Sequence, residues 1–246
     1  MKIDYAIMAV DDNPLYSDFW EPVSKCWRSM GITPILFYFG NKKSFSEEDY
    51  VIRQSFVDGI PHALQTLFIR YYGPKLLDKD KVSIISDIDM LPLNEYYFID
   101  QISGIPDDKH VHLNPCISTY GRVPSCYHVA KNSTFVKTFE LDRFENFKEA
   151  LEYCLTFQEG GYDTGWFADE NFGTKMFEKN PDNIVLVPRK GGQNGHRIDR
   201  ASNDHWALAW DEDLISEQHY YDCHSIRPYQ RHKVEIDLIV NRFTQR

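Results

Sequence analysis

Short apolar runs alternate with amphipathic stretches through the first third of this chain. Residues 3–10 form a compact apolar run that predicts a first strand. Asn13-Pro14 follows as a helix-start signal, an N-cap residue with proline at the first helical position. Leu15, Phe19, Val23, Cys26, Trp27 and Met30 then recur at spacings of four, four, three, one and three, one face of a helix stopped by Gly31. Pro22 falls inside that stretch and predicts a kink or a later helix start. Residues 34–39 predict a second strand and 40–44 a loop. Pro61 opens another helix with Leu64, Leu67, Phe68 and Tyr71 facing inward, ended by Gly73-Pro74. The β-branched run at 82–85 predicts a buried strand.

Strands and helices alternating in this way imply a parallel sheet with right-handed crossovers. Ligands of such sheets bind at the carboxyl ends of the strands. Asp11, Asp12 and Asn13 end the first strand, and Asp87 and Asp89 end the one at 82–85, so both clusters are expected on one rim.

The second half is less regular. Residues 110–116 and 125–130 predict strands, and Phe144, Phe147, Leu151, Cys154 and Leu155 mark a helix. A glycine loop at 160–165 precedes a helix carrying Phe172, Met176 and Phe177, and 184–187 predict a further strand. From Arg189 onward comes a tail rich in arginine and histidine. There is no internal repeat and no low-complexity tract. The 246 residues contain no linker, which predicts one domain over 1–246.

Composition narrows the function. The formal net charge of −10, without a basic run, argues against nucleic acid or an anionic membrane as partner. A nucleoside diphosphate can still bind where a metal and local cations reverse the field. The 15 Tyr, 16 Phe and 5 Trp serve an aromatic core or stack on rings. Five cysteines without metal-ligand spacing suggest free thiols in a reducing compartment. No apolar stretch approaches the ~20 residues of a membrane span. The first residues enter a strand and do not form a signal peptide. A cytoplasmic protein without an integral membrane segment is the expectation.

The richest chemistry sits at Asp87-Ile88-Asp89. Carboxylates at the end of a buried strand need a cation, hydrogen bonds or water. A hard divalent metal that also grips a phosphate meets that need, and a pair of turn carboxylates before Pro92 is the plainer alternative. This Asp-x-Asp after an apolar strand resembles the metal site of GT-A-fold glycosyltransferases. The resemblance is sharpest at 9–16, 82–92, 165–170 and 222–229.

The resemblance implies an α/β fold of GT-A (Rossmann-like) type, a mostly parallel central sheet flanked by helices in a single domain. Residues 1–100 would form the nucleotide-binding half and 101–246 the acceptor-binding half. It implies a manganese (or magnesium) ion held by Asp87 and Asp89, with His224 completing the shell. Ala9, Val10, Asp11, Asn13 and Tyr16 would hold the nucleoside, and Arg70, Asp87 and Arg227 the rest of the donor. Asp169, or failing that Glu170, would act as base toward the acceptor or bind the donor sugar. Trp166 would form an acceptor platform. The implied activity is transfer of a sugar from a nucleotide-sugar, by default a UDP-sugar, to a hydroxyl acceptor such as a glycan.

Plainer readings stand beside these. Asp11 and Asn13 can cap a helix, Arg70 can make a helix-surface salt bridge, and Asp169 and Glu170 can cap their own helix. Residues 195–200 form either a flap over the phosphates or a solvated loop. A haloacid-dehalogenase-type phosphatase also uses Asp-x-Asp, with the first Asp as nucleophile. It usually carries Thr or Val where Leu91 stands, and in the first strand of the chain. A nucleotidyltransferase would need a glycine-rich basic loop after the first strand, which is absent. A noncatalytic sugar-nucleotide-binding protein would bind donor without turnover.

Overall fold

The computed structural model describes residues 1–41, 44–45, 50–113, 121–158, 165–189 and 196–246. In chain order the elements are β1 (Tyr5–Asp11), α1 (Trp20–Ser29), β2 (Thr33–Phe39), β3 (Val51–Gln54), α2 (His62–Tyr72), β4 (Val82–Ile85) and β5 (Met90–Pro92). There follow α3 (Gln101–Ser103), β6 (His110–His112), β7 (His128–Lys131), α4 (Asn132–Thr138), α5 (Phe147–Leu155), α6 (Ala168–Lys179) and β8 (Ile184–Leu186). The chain closes with β9 (Arg197–Ile198), α7 (Glu212–Ser216), β10 (Asp222–His224) and α8 (Lys233–Thr244).

Seven strands form one sheet in the order β3-β2-β1-β4-β7-β6-β8. The first four run parallel, and β7 alone opposes its neighbours β4 and β6. Alternation along β1 explains the two cores. Ala6, Met8 and Val10 face the core shared with α1 and α8, while Ile7 and Ala9 face the one beneath α2, α5 and α6. A smaller sheet, β5-β10-β9, is built from the turn after β4 and from the tail.

Several expected elements form with small changes of boundary. The helix after the first strand starts at Trp20, so Pro22 sits in its first turn and needs no kink. Asn13 does not cap that helix; its Oδ1 accepts the Leu15 N–H at 3.0 Å in a local turn at the strand end. Residues 160–164 of the glycine loop lie outside the described residues, as do residues 114–116 of the strand expected at 110–116 and residues 190–195. The short elements β5, α3, β9, α7 and β10 were not anticipated, nor were two others. β3 is a short edge strand, and α8 buries Ile236, Ile239, Val240 and Phe243 against the core.

Candidate functional site

Parallel pairing places the site. β1 and β4 are neighbours, with Ile7 opposite Ile85, and the Ser86 N–H continues the ladder to the Ile7 carbonyl at 2.9 Å. Asp11 and Asp87 therefore emerge at the same sheet edge. The chain then turns through Ile88 and Asp89, closed by the Met90 N–H to the Asp87 carbonyl at 3.3 Å. β5 leaves that turn and pairs antiparallel with β10, Met90 opposite His224. That pairing carries His224 back to Asp89, and the Ser225 N–H donates to the Asp89 carbonyl at 3.0 Å.

Ala9, Val10, Asp11, Asn13, Tyr16, Arg70, Asp87, Asp89, Asp169, Glu170, His224 and Arg227 all line one cavity of about 320 Å³, together with Trp166. Asp12 does not; its carboxylate accepts a hydrogen bond from the Tyr38 hydroxyl.

Asp89 is buried and surrounded by cations. Arg200 Nη1 donates to its Oδ2 at 2.6 Å, Arg227 Nη1 lies at 3.6 Å and His224 Nε2 at 3.9 Å. Burial works to raise its carboxyl, but His224, Arg200 and Arg227 outweigh it and hold the group below the ordinary carboxylate range. His224 Nδ1 meets Asp199 Oδ1 at 2.9 Å. The His224 charge acts on Asp89 when the ring is protonated; in the neutral ring, a proton on Nδ1 donated to Asp199 leaves the Nε2 lone pair on the Asp89 side.

Arg70 is 3% exposed, so it is a buried cation, not part of a helix-surface pair. It donates to Asp87 Oδ1 and lies 3.7 Å from Asp169 Oδ2, tying the strand end to α6. Arg227 donates to the Tyr16 hydroxyl, its guanidinium 4.6 Å from the centre of that ring, and its Nε–H donates to Asn203 Oδ1 at 3.0 Å.

Gly165 has φ +67 and a Cβ there would press on Leu64, so only glycine makes this approach to α6 easily. Phe167, the residue before the helix, is itself left-handed at φ 74, without a side-chain cap. Asp169 and Glu170 then fall in the first turn. Asp169 is 2% exposed and accepts a 2.5 Å hydrogen bond from Ser125 Oγ. Burial raises its carboxyl, while Arg70, Ser125 and the Glu170 backbone N–H oppose the rise. Burial and then the Asp169 charge push Glu170 up to about 7, against Arg122, whose Nε lies 3.4 Å away.

Asp222, the first residue of the 222–229 stretch, does not line the cavity. It is fully buried between Arg189, with contacts of 3.1 and 2.6 Å, and Arg197, with two of 2.8 Å. It locks the β9–β10 pair and so carries the scaffold beneath His224. Arg200 and Ser125 were not singled out by the sequence. Arg200 stood inside the undecided loop, and Ser125 inside an expected strand.

Among the described residues, no three His, Cys, Asp or Glu side chains converge to hold a metal ion. The donor types nevertheless suit a hard divalent ion, two carboxylates and an imidazole. Asp87 is engaged by Arg70 and Asp89 by Arg200, so such a centre is not preassembled. Among the described residues, no helix is long and apolar enough to cross a membrane.

No family model and no curated protein matches this sequence. Solved structures do match. The galactosyltransferase LgtC in complex with donor and acceptor sugar analogs covers 98% of this chain and 96% of its own, at 11% identity and a TM-score of 0.54. The apo-form glycosyltransferase GlyE of Streptococcus pneumoniae TIGR4 covers 100% of this chain at 10% identity and a TM-score of 0.53. The apo bifunctional glycosyltransferase WbbM covers 98% at 10% identity and a TM-score of 0.50. The chain spans 64% of the GlyE chain and 49% of the WbbM chain. The fold is thus that of the GT-A glycosyltransferases, a single α/β domain with a mostly parallel central sheet.

Proposed function

We propose that this protein is a metal-dependent glycosyltransferase. Its donor is a nucleoside-diphosphate sugar, with a UDP-sugar as the default, and its acceptor is a hydroxyl group, such as one on a glycan. The observation that carries this reading is convergence. Residues at the ends of β1 and β4, at the start of α6 and in the tail meet in one cavity on the carboxyl edge of a GT-A sheet. LgtC, which shares that fold over nearly its whole length, was crystallised with donor and acceptor sugar analogs.

The roles follow from the chemistry of each group. Asp11 and Asn13 offer acceptors and an amide to a base edge and ribose, and Tyr16 a ring to stack on the base. Arg70, Arg200 and Arg227 supply the positive charge that a diphosphate needs in an acidic protein. Asp87, Asp89 and His224 would hold a manganese or magnesium ion, which would offset charge building on the departing diphosphate. Arg200 would then leave Asp89 for a phosphate oxygen. The acceptor oxygen forms its bond to the anomeric carbon as the bond to the diphosphate breaks, and its proton passes to Asp169. Glu170 with Arg122, and Trp166 at 42% exposure, face the acceptor side. The first hundred residues would then serve the nucleotide and the rest the acceptor, with His224 and Arg227 returning to the donor. The phosphatase alternative is not favoured, since the matching structures are glycosyltransferases.

Thermal stabilisation by nucleoside diphosphates, with and without manganese, tests the donor. A specific ligand at a hundred times its dissociation constant adds about 2.7 kcal/mol. Stabilisation by one nucleotide class that needs the metal supports the reading, and equal shifts with all or none overturn it. Asp169→Asn should lower turnover at least ~100-fold with donor affinity little changed. A loss confined to melting temperature would make Asp169 only a helix-start residue.

A further inference from the structure

The segment that carries Arg200 also carries a carboxylate, Asp199, that has no part in the roles above. The small sheet decides where it lies. β9 runs parallel to β10, with Arg197 opposite Asp222 and Ile198 opposite Cys223. One step beyond that register, Asp199 stands beside His224. On the other side of β10, β5 runs antiparallel with Met90 opposite His224, which puts Asp89 one residue away. The sheet thus lays Asp199, His224 and Asp89 in a row, with the imidazole in the middle.

The side chains agree with that row. Asp199 Oδ1 lies 2.9 Å from His224 Nδ1, and His224 Nε2 faces Asp89 Oδ2 at 3.9 Å. A carboxylate only accepts, so in the neutral ring Nδ1 carries the proton. Nε2 then keeps its lone pair for the cavity that His224 lines. A free histidine side chain favours the other tautomer, with the proton on Nε2, so the carboxylate has to enforce this one.

Asp199 is itself held in place. Its Oδ1 also accepts the Arg200 N–H at 2.9 Å, which fixes the carboxylate against its own backbone. The Ala207 N–H donates to the Asp199 carbonyl at 2.8 Å and Arg200 bridges Trp206, closing a hairpin over 199–207. Trp206 Nε1–H donates to Glu235 Oε2 at 2.8 Å and pins that hairpin to α8.

We propose that Asp199 is a positioning residue for His224, holding the proton on Nδ1 so that a bare Nε2 is aimed toward Asp89. The proposal rests on the reading of His224 as a metal ligand. A divalent ion needs an imidazole nitrogen without a proton, and the bond to Asp199 supplies one with its orientation set and its basicity raised. Loss of such a partner typically weakens metal binding about 10–100-fold.

The test is the tautomer of His224, read from its ring nitrogens by NMR in the ligand-free protein at alkaline pH and assigned with His224→Gln. The parent should show Nδ1–H. Asp199→Ala should turn the ring mostly to Nε2–H, whereas Asp199→Asn, whose amide oxygen still accepts, should keep Nδ1–H. Manganese titrated in the presence of UDP should bind at least ~10-fold more weakly to Asp199→Ala and nearly as in the parent to Asp199→Asn. Nε2–H in the parent, or Nδ1–H retained in folded Asp199→Ala, overturns the proposal. So does an unchanged manganese affinity in an Asp199→Ala protein whose tautomer has switched. A parent that shows the expected tautomers but binds no manganese leaves Asp199 in control of the ring and overturns the metal role of His224 instead.

Discussion

Arg200 Nη1 lies 2.6 Å from Asp89 Oδ2 although 111 positions separate the two residues. The same nitrogen donates to the Ser225 carbonyl at 2.7 Å, so the guanidinium is held over the carboxylate by the tail that also brings His224. An arginine thus stands where the proposed ion needs an oxygen.

In the proposed reading, that placement would make Arg200 a competitor of the metal when no nucleotide is bound and a phosphate ligand when one is. Arg200→Ala should bind manganese about tenfold more tightly in the absence of nucleotide, and a nucleoside diphosphate about tenfold more weakly. Titration of free manganese by electron paramagnetic resonance checks the first and calorimetry the second. Weaker metal binding by the variant would show that Arg200 supports the site and does not compete for it.

Arg227 is braced by Asn203 and lies against Tyr16, which holds its guanidinium at the cavity, where the proposed diphosphate would lie. Arg227→Ala should weaken a nucleoside diphosphate at least ~10-fold more than the free nucleoside. Equal losses for the two would mean that the tail acts only through folding.

Glu170 gives a pH signature. Its carboxyl, ordinarily at 4.5, is raised to about 7 by burial and by Asp169. The folded state therefore holds a proton that the unfolded state gives up, and stability present below pH 4.5 is lost as pH rises through about 7. Glu170→Gln should be more stable than the parent by roughly 1–3 kcal/mol at pH 8 and no more stable at pH 4. Denaturant melts at the two pH values check this, and a pH-independent difference contradicts it.

Asp222 should prove structural. Its partners Arg189 and Arg197 are both largely buried, and Asp222→Asn leaves two cations facing each other without the shared carboxylate. Loss of one partner in such a cluster costs about 3–5 kcal/mol. A change under ~1 kcal/mol in urea unfolding would remove Asp222 from the scaffold.

The sequence carried the sheet because its strands are local apolar runs, and it carried the rim because strand ends follow from strands. Asp87, Asp89, Asp169 and His224 were legible through residue type beside a recognisable strand or helix start. What escaped depended on tertiary pairing. Nothing local to Arg200 points to Asp89, and the Asp222 triad exists only because β9 and β10 lie side by side. Ser125 gave no signal, since its role is set by Asp169 on another element. α8 is a different case. Its buried residues 236, 239, 240 and 243 follow the helical period, so that face was readable from the sequence.

The most direct test of the central claim is release of nucleoside diphosphate from a panel of nucleotide-sugars in manganese, compared between the parent protein and Asp89→Ala. The account predicts turnover of at least one nucleotide-sugar by the parent, abolished by chelator and by Asp89→Ala while the variant still melts cooperatively. Turnover undiminished in Asp89→Ala or in chelator, or an acyl-phosphate formed on Asp87, would contradict it.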